Sequence, residues 1–339
     1  MREYIIDYPD FNIIQPSEIE QTHKKIAPYI HRTPILTSSL LNQWLGHNIY
    51  FKAENLQKTG AFKVRGAINK ILSLKESKDF SGSIVAFSSG NHSQAVAWAS
   101  KQFGINSTIF LPQITSSIKY QATRSYGAKV IVTKTRQEAE KCAYTMEREG
   151  AHLVPPYDAD DIIKGQGTAV YEALQDMESK PDAIFTACGG GGLLSGSYLA
   201  KELLSPSSKI FGAEPHNAND ASLSYQKGKI YRFDNSPLTI ADGVRTLSLS
   251  PRTFHYVKQT DGIIEASEHE ICRWVQIVSH LLKILIEPAS GLAMASANNW
   301  LKHQTTKQTV LIVLSGGNIA PDTSSKIWEK NYLEMPFTN

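Results

Sequence analysis

The sequence contains little cysteine and no long apolar run. Only three cysteines occur among 339 residues, Cys142, Cys188 and Cys272, and they form no CxxC motif. This number and spacing argue against a disulfide framework or a structural zinc site and favour a reducing compartment. No apolar run approaches the ~20 residues that span a bilayer, and the N-terminal segment MREYIIDYPDFN mixes charged and apolar residues too early for a signal peptide. We therefore expect a soluble, cytoplasmic protein without a membrane partner.

An excess of charge of one sign is also missing. The 35 lysine and arginine residues nearly balance the 32 aspartate and glutamate residues, so that the net charge is only +3. Without a basic block, this balance argues against binding to nucleic acid or to an anionic membrane. The fractions of hydrophobic residues (41%) and charged residues (20%) are ordinary for a globular protein. The length allows two domains or one large domain.

Strand-like and helix-like segments alternate along the chain. Short β-rich runs such as NIYFKAEN (48–55) and GSIVAFSSG (82–90) are each followed by segments with helical periodicity, such as KVRGAINKILSLKE and NHSQAVAWASKQFG. The strand–helix pairs from about residue 80 to 155 predict a compact unit with a parallel sheet. The fold class is therefore α/β, and a small domain inserted into a larger one is the arrangement that we expect.

Three loops follow apolar strands at places where open parallel sheets carry their binding sites. They are SSGNHSQA (88–95), CGGGGLLSG (188–196) and SGGN (315–318). Four consecutive glycines before a helix leave backbone N–H groups bare at its N-terminus, where an anion such as a phosphate is favoured. A flexible turn is the alternative. The loop is not a Walker motif. A dinucleotide-binding site is still an alternative, because Glu214 follows the next strand and such sites carry an acidic residue there.

Lys63 has unusual neighbours for a lysine at the start of a helix. In QKTGAFKVRGA (57–67) it stands between a Thr-Gly-Ala turn and a Gly-Ala pair, where small residues let backbone or ligand come close. A solvated cation is the ordinary interpretation of a single lysine. A phosphate cradle together with a lysine in such surroundings indicates pyridoxal 5′-phosphate, whose aldehyde forms a Schiff base with lysine.

The order of eight motifs extends this hypothesis to nearly the whole chain. They are TGAFKVRGA, SSGNHSQA, GQGT, GGGGLLSG, AEPHNANDA, TIADGV, IEPASG and LSGGN. From about residue 15 to 325 the chain resembles the fold type II pyridoxal-phosphate enzymes, in particular the serine racemase, serine/threonine dehydratase and threo-3-hydroxyaspartate ammonia-lyase group. The resemblance implies two open, mainly parallel sheets flanked by helices, as in tryptophan synthase β. It also implies a large cofactor-binding domain (1–72 and 156–339), a small inserted domain (73–155) and a homodimer.

The resemblance also assigns roles to individual residues. Lys63 is the Schiff-base lysine that later takes the substrate Cα proton, and Phe62 packs beside the cofactor ring. The other cofactor contacts are Asn91 to the phenolic oxygen, Gly189, Gly190, Gly191 and Gly192 to the phosphate, and Ser315 to the pyridine nitrogen. A hydroxyl does not hold a pyridinium as a carboxylate does, so the ring is expected to stay neutral, which favours rapid β-elimination. The expected reaction converts L-serine, L-threonine or threo-3-hydroxyaspartate to a 2-oxo acid and ammonia.

Ser89 bears on whether the protein also racemises serine. Racemase-like members carry a serine at this position, on the cofactor face opposite the lysine, where it can return a proton. Dedicated threonine dehydratases tend to carry alanine there. The alternative is that Ser89 only caps the helix that begins at Asn91, and both roles are compatible.

Three further residues concern substrate binding. Arg136 occupies the position of an arginine near the substrate side chain in racemase-like members, where a guanidinium can bind a second carboxylate with two hydrogen bonds. A surface arginine on a helix is the alternative. Ser88 and His92 are expected to help bind the substrate α-carboxylate, although His92 can equally be a structural histidine. Ala61 replaces the serine that many dehydratases and racemases carry, which slightly favours a hydroxyaspartate-type substrate.

The segment AEPHNANDA resembles the divalent-cation site of the same group. Glu214 and Asp220 would supply carboxylates and Ala218 its carbonyl oxygen, with water completing the oxygen shell that Mg2+ or Ca2+ prefers. Without the resemblance, two carboxylates at this spacing fit an exposed loop equally well.

Three rival functions remain open at this point. The first is a serine racemase proper, the second a non-catalytic protein that binds the cofactor or an amino acid, and the third a nicotinamide-dependent dehydrogenase. An intact Lys63, Asn91 and Ser315 argue against the second, and Lys63 with the SGGN loop is unexplained by the third.

Overall fold

The computed structural model describes residues 11–88, 90–113 and 115–333; Ser89 and the first ten residues lie outside this described part. Its strands are β1 (Ile35–Leu36), β2 (Asn48–Ala53), β3 (Ser83–Phe87), β4 (Asn106–Pro112), β5 (Lys129–Thr133), β6 (His152–Leu153), β7 (Ala183–Ala187), β8 (Lys209–Pro215), β9 (Ile263–Ala266) and β10 (Thr309–Leu314). They form a six-stranded sheet in the order β1-β2-β10-β7-β8-β9 and a four-stranded sheet in the order β5-β4-β3-β6. All described pairings between these strands are parallel except that of β1 with β2.

Helices cover the sheets. They are α1 (Ser17–Ile26), α2 (Ser39–Leu45), α3 (Lys63–Glu76), α4 (Asn91–Gln102), α5 (Ser117–Ser125), α6 (Arg136–Arg148), α7 (Asp160–Asp176), α8 (Gly192–Leu204), α9 (Asp220–Lys227), α10 (Pro251–Val257), α11 (Glu268–Leu282), α12 (Pro288–Leu301) and α13 (Pro321–Trp328). Within the described ranges, none of these helices has the length and apolar character needed to cross a membrane.

The predicted α/β fold with two mainly parallel sheets is confirmed. One local expectation is wrong, and one observed helix has no counterpart among the predicted segments. The GQGT motif, for which no helix is predicted, lies inside α7. The helix predicted to continue to Leu285 ends at Leu282, because Lys283 adopts a left-handed conformation with φ 57° that the helix cannot contain.

Successive residues along the strands lie in the hydrophobic core on opposite faces of the sheet, because both faces are covered. In the large sheet, Phe185 and Ile312 pack on one side, against α11 and α12, whereas Ile184 and Leu311 pack on the other side with residues of α7 and α8. The rings of Phe185 and Phe211 are stacked with centroids 5.2 Å apart. Both faces of the sheet are therefore buried, which leaves the strand ends as the places for a site.

Glycines allow α3, α7 and α8 to pack backbone against backbone. A Cβ added at Gly165 would lie 2.5 Å from Cα of Gly66, and one added at Gly167 would lie 2.4 Å from the carbonyl oxygen of Gly196. One added at Gly196 would lie 2.2 Å from the carbonyl oxygen of Ile163. The two glycines of GQGT therefore act in helix packing.

Replacing Gly196 by alanine is expected to lower the free energy of unfolding by about 1–3 kcal/mol, because α7 and α8 must separate to admit the methyl group. Urea denaturation of the two proteins measures the difference. Ser197→Ala is the matched control: the Ser197 hydroxyl is buried without a hydrogen-bond partner among the described residues, so its loss should not destabilise the protein. An unchanged unfolding midpoint for Gly196→Ala would contradict the tight helix contact.

Candidate active site

One pocket lies at the carboxyl ends of strands from both sheets, where open parallel sheets place their ligands. The structure brings nearly all of the predicted cofactor and substrate residues to it: Phe62, Lys63, Ser88, Asn91, His92, Arg136, Gly189, Gly190, Gly191, Gly192 and Ser315. Ser89 lies outside the described residues. The three predicted metal ligands do not line this pocket and form a separate group.

Lys63 is the first residue of α3 and reaches into the pocket. The N–H of Phe62 bonds to the carbonyl oxygen of Ser315 at 3.0 Å, which fastens the start of α3 to the end of β10. The Lys63 ammonium donates to the carbonyl oxygen of Pro156 at 2.7 Å. Burial, with the nearby charge of Arg136, lowers the pKa of Lys63 to about 8, although Glu287 acts in the opposite direction. About a tenth of the amine is therefore neutral at pH 7, far more than for a lysine with an ordinary pKa.

The small residues around Lys63 have a structural reason. Gly60, with φ 70°, lies against Asn318, whose amide oxygen would be 2.7 Å from an added Cβ. Ala61 forms an isolated antiparallel bridge with Gly316. Small residues on both segments thus let the turn before Lys63 approach the SGGN loop closely.

The glycine loop forms a cradle at the N-terminus of α8. Gly191 has φ 86°, a left-handed conformation that favours glycine, and no side chain caps the helix N-terminus. Added Cβ atoms at Gly190 and Gly192 would lie 2.2 Å and 3.1 Å from atoms of Tyr157, which packs over the loop. The bare N–H groups and the helix dipole make this loop suitable for a phosphate.

Asn91 and Ser315 present polar groups to the same pocket. Asn91 is the first residue of α4, and its amide nitrogen donates to both carboxylate oxygens of Glu287 at 2.9 Å. The Ser315 hydroxyl is buried and has no hydrogen-bond partner within the part of the chain that the structure describes. An unsatisfied buried hydroxyl at a pocket wall indicates a group for a ligand to contact.

His92 is a neutral imidazole in this structure. Burial, reinforced by the charge of Lys63, lowers its pKa to about 3. Because a carbonyl oxygen only accepts, His92 Nε2 donates to that of Val154 at 2.8 Å, and Nδ1 is left as a bare acceptor without a partner among the described residues. A substrate carboxylate needs hydrogen-bond donors. The backbone N–H groups at the start of α4 can supply them, whereas the free nitrogen of this ring is an acceptor. The hydroxyl of Ser88 accepts the N–H of Gly90 at 3.1 Å and keeps its own proton to donate.

Two cationic side chains line the pocket on the side of the four-stranded sheet. Arg136, at the start of α6, donates to the carbonyl oxygen of Arg245 at 2.6 Å. Lys119, on α5, forms a 2.6 Å ion pair with Asp242. Arg136 is thus part of the pocket wall and not an isolated surface arginine.

The predicted cation ligands form a buried group that adjoins the pocket. Glu214 accepts the N–H groups of Ala221 and Ser222, and Asp220 accepts the Thr246 hydroxyl, while its second carboxylate oxygen has no partner among the described residues. Burial raises the pKa of Asp220 to about 7 and, with the neighbouring Asp220 charge, raises that of Glu214 well above its ordinary value.

The donor set of this group suits a hard cation. Two buried carboxylates that repel each other are stabilised by a positive charge between them. Ala218 is buried in the same segment. Among the residues described, no cluster of three or more His, Cys, Asp or Glu side chains exists that could hold a metal ion. A cation here would thus need the Ala218 carbonyl oxygen and water as further ligands.

Several pocket residues are absent from the sequence-based assignments. They are Lys119, Tyr157, Asp242, Arg245 and Glu287, all of which line the pocket, and Asn318, which contacts Asn91. Glu287, Asp242 and Asn318 belong to the motifs IEPASG, TIADGV and LSGGN. The motifs indicated the region, whereas the role of each side chain depends on partners distant in sequence.

The pocket fits pyridoxal phosphate. A cradle of backbone N–H groups suits the phosphate, the unpartnered Ser315 hydroxyl suits a neutral ring nitrogen, and Lys63 is an amine with a lowered pKa. These three features lie around one cavity, so a single ligand can satisfy all of them.

Comparisons with known proteins agree with this geometry. A family model described as pyridoxal-phosphate dependent enzyme matches residues 26–316. The chain is 40% identical over 305 residues to an L-threo-3-hydroxyaspartate ammonia-lyase of Saccharomyces cerevisiae, covering 89% of this chain and 92% of that protein. It is also 40% identical over 315 residues to a serine racemase of Dictyostelium discoideum, covering 91% and 96%.

Solved structures show the same similarity in three dimensions. The crystal structure of a serine racemase from Dictyostelium discoideum superposes with a TM-score of 0.84 at 38% sequence identity, and that of a threonine deaminase with the same TM-score at 39% identity. Each comparison covers 91% of this chain and 99% of the other one. Since the sequence and structural similarity both extend over most of its length, the chain belongs to the family of pyridoxal-phosphate-dependent enzymes.

Proposed function

We propose that this enzyme catalyses the pyridoxal-phosphate-dependent β-elimination of a hydroxyamino acid, namely L-serine, L-threonine or threo-3-hydroxyaspartate. The products are a 2-oxo acid and ammonia. The observation that carries the proposal is the gathering of Lys63, the glycine loop, Asn91 and Ser315 around one pocket. The names of the similar proteins, a hydroxyaspartate ammonia-lyase, a serine racemase and a threonine deaminase, support the class of substrate.

Lys63 has two tasks in this proposal. When bound, pyridoxal phosphate supplies an electron sink for the electrons of the substrate Cα–H bond. The amine of Lys63 would hold the cofactor aldehyde before the substrate binds and, once free, would accept the Cα proton as general base. A pKa of about 8 suits both tasks, because the neutral amine is accessible near neutral pH while its conjugate acid still forms readily.

The other cofactor contacts follow from the pocket wall. Phe62 would pack beside the ring, Asn91 would donate to the phenolic oxygen, and the N–H groups of Gly189 to Gly192 would hold the phosphate. The Ser315 hydroxyl would contact the pyridine nitrogen. Because a hydroxyl cannot stabilise a positive charge as a carboxylate does, it would leave that nitrogen neutral, which would favour elimination of the β-hydroxyl.

Substrate recognition falls to the loop before α4 and to Arg136. The Ser88 hydroxyl and the backbone N–H groups at His92 bind the α-carboxylate, helped by the positive end of α4. The Arg136 guanidinium binds a second carboxylate when the substrate is 3-hydroxyaspartate. Its position in the pocket wall supports this role.

We further infer that the group of Glu214, Ala218 and Asp220 binds Mg2+ or Ca2+ in a structural or activating role. Its buried, mutually repelling carboxylates support this, because a divalent cation would compensate them. The chain is also proposed to form a homodimer of two-domain subunits, with residues 73–155 as the small domain. That the strands of the four-stranded sheet all come from residues 83–153 supports the small domain.

A panel of substrates tests the reaction. The protein is loaded with pyridoxal phosphate and incubated with L-serine, L-threonine or the 3-hydroxyaspartate isomers, and oxo acid and ammonia are measured with Mg2+ and with EDTA. We expect equal amounts of both products from at least one substrate and a lower rate in EDTA. L-alanine is the control, since it lacks a leaving group and should give neither product. No product from any hydroxyamino acid would contradict the proposal.

Serine racemisation is a second candidate activity, favoured by the similarity to a serine racemase. It rests on Ser89 as the residue that returns a proton on the face opposite Lys63. In the same assay, D-serine formed from L-serine would reveal it. Ser89→Ala should then abolish D-serine formation while oxo acid formation continues. Equal losses of the two products would show that Ser89 does not return a proton on the face opposite Lys63.

A further inference from the structure

A buried carboxylate lines the pocket and takes no part in the steps above. Glu287 precedes α12 and is 2% exposed. Burial raises its pKa to about 7, Lys119 and Lys63 oppose this rise, and Asp242 adds to it. Burying an ionised carboxylate costs free energy unless hydrogen bonds compensate the lost hydration. Its described side-chain partner is the amide of Asn91, at 2.9 Å from each oxygen.

A second amide fixes the other end of Asn91. The amide nitrogen of Asn318 donates to the amide oxygen of Asn91 at 3.0 Å and to the carbonyl oxygen of Thr59 at 2.7 Å. Thr59 accepts through its backbone, so the Asn318 amide cannot turn over without losing that bond. Asn318 therefore offers a donor to Asn91, and Glu287 offers acceptors on the opposite side.

The two partners together permit one orientation of the Asn91 amide. If the Asn91 amide turned over, its oxygen would face the Glu287 carboxylate and its NH2 group would face the NH2 group of Asn318. Both favourable hydrogen bonds would become repulsive contacts. The pocket is thus presented with an N–H donor at this position, and with an acceptor only at a large energetic cost.

Glu287 itself is held firmly by the SGGN loop. Its backbone N–H donates to the carbonyl oxygen of Gly316 at 2.9 Å, and the Ser290 hydroxyl donates to the same oxygen at 2.9 Å. A Cβ added at Gly316 would lie 2.6 Å from a Glu287 carboxylate oxygen. The first glycine of SGGN therefore provides the space in which the carboxylate lies.

We propose that Glu287 and Asn318 are positioning residues that hold the Asn91 amide with an N–H toward the phenolic oxygen of the cofactor. One N–H of Asn91 suffices for the carboxylate, and the other is then available to an acceptor in the pocket. The site accordingly selects the ionised phenolic oxygen, which accepts hydrogen bonds only. This inference rests on the proposed contact between Asn91 and the cofactor.

Two isosteric variants test it, each made alone and in an Asn91→Ala background. Asn318→Asp places an acceptor against the Asn91 amide oxygen, and Glu287→Gln removes one of the two acceptors on the opposite side. Each is expected to weaken pyridoxal phosphate binding to the apoprotein about tenfold, the value of one hydrogen bond to a charged group. Each should also shift the absorbance maximum of the bound cofactor. In the Asn91→Ala background, neither variant should further change the affinity for pyridoxal phosphate or the absorbance maximum of the bound cofactor.

The outcomes separate the inference from the function on which it rests. If Asn91→Ala leaves affinity and absorbance unchanged, the proposed cofactor contact of Asn91 is wrong. If Asn91→Ala weakens binding but the other two variants act just as strongly without Asn91, the contact stands and the positioning inference is overturned. Thermal melting of each apoprotein detects a merely structural loss, which would not move the absorbance maximum. Glu270→Gln is the control for charge removal: the carboxylate of Glu270 on α11 accepts hydrogen bonds from Ser267, the residue that caps this helix.

Discussion

Lys63→Ala is expected to lower kcat for the elimination by at least about 10³-fold, since it removes both the amine that binds the aldehyde and the general base. A second readout does not depend on turnover. After borohydride reduction, the mass of the wild-type protein should rise by that of the attached cofactor, whereas the mass of the variant should not change. Lys58→Ala is the matched control, because Lys58 lies in the same segment but is exposed.

The pH dependence of cofactor loading provides an independent check on Lys63. Burial and the charge of Arg136 lower the pKa of Lys63 to about 8, so the fraction of neutral amine rises as the pH passes upward through this value. The loading rate of the wild-type apoprotein should therefore increase about tenfold between about pH 7 and pH 9. Normal elimination by Lys63→Ala, or a loading rate that falls over this interval, would contradict the assignment.

Arg65→Met is expected to lower the free energy of unfolding by about 3–5 kcal/mol, because it leaves the buried Glu54 carboxylate without its ion-pair partner and Glu172 with Lys52 alone. Arg65 is fully buried two residues beyond Lys63 and makes paired hydrogen bonds to Glu54 and to Glu172, at 2.7–2.9 Å. Lys52 completes the group through a 2.8 Å ion pair with Glu172. The group joins β2, α3 and α7, so its loss should loosen the start of α3.

The free energy of unfolding at acid pH depends on the same ion group. Burial alone would raise the pKa of Glu172, but the hydrogen bonds and charge of Arg65, with Lys52, lower it from its ordinary 4.5 to about 2. A carboxyl with a lowered pKa stabilises the fold above its unfolded-state pKa, and this stabilisation is lost as the pH falls towards 2. Arg65→Met should remove most of this contribution at neutral pH, because Lys52 then remains as the ion-pair partner of Glu172.

A surface ion pair is the control for the Arg65 experiment. Arg32 pairs with Asp176, and the two side chains are 48% and 32% exposed. Arg32→Met should cost less than about 1 kcal/mol, as is usual for solvated pairs. Urea denaturation at neutral pH measures both variants. Equal, small losses for Arg65→Met and Arg32→Met would show that the buried group does not stabilise the fold.

Local sequence patterns predicted the elements around the site well. The amphipathic segment that begins at Lys63 is α3 with the bounds Lys63–Glu76, and the segment after the first small-residue loop is α4, because helical periodicity and flanking glycines are local signals. The helix over GQGT escaped prediction, since its glycines lower helix propensity and are explained only by contacts with α3 and α8. The early end of α11 at Lys283 likewise has no strong local signal.

Long-range contacts explain which site residues the sequence did not assign. Asn91 meets Glu287 across 196 residues of sequence and Asn318 across 227. Lys119 meets Asp242 across 123 residues. No periodicity or spacing rule connects such pairs, because crossover connections in parallel sheets bring distant loops to one edge.

The sequence by itself determined the α/β class through local periodicity. Through the order of its motifs it determined the resemblance to the family, which placed the lysine, the glycine loop and the serine. The tertiary structure alone decided the neutral state of His92, the lowered pKa of Lys63 and the orientation of the Asn91 amide. These properties depend on burial and on charges within a few ångströms. Only the folded chain sets those distances, which is why the chemical state of each predicted residue had to come from the fold.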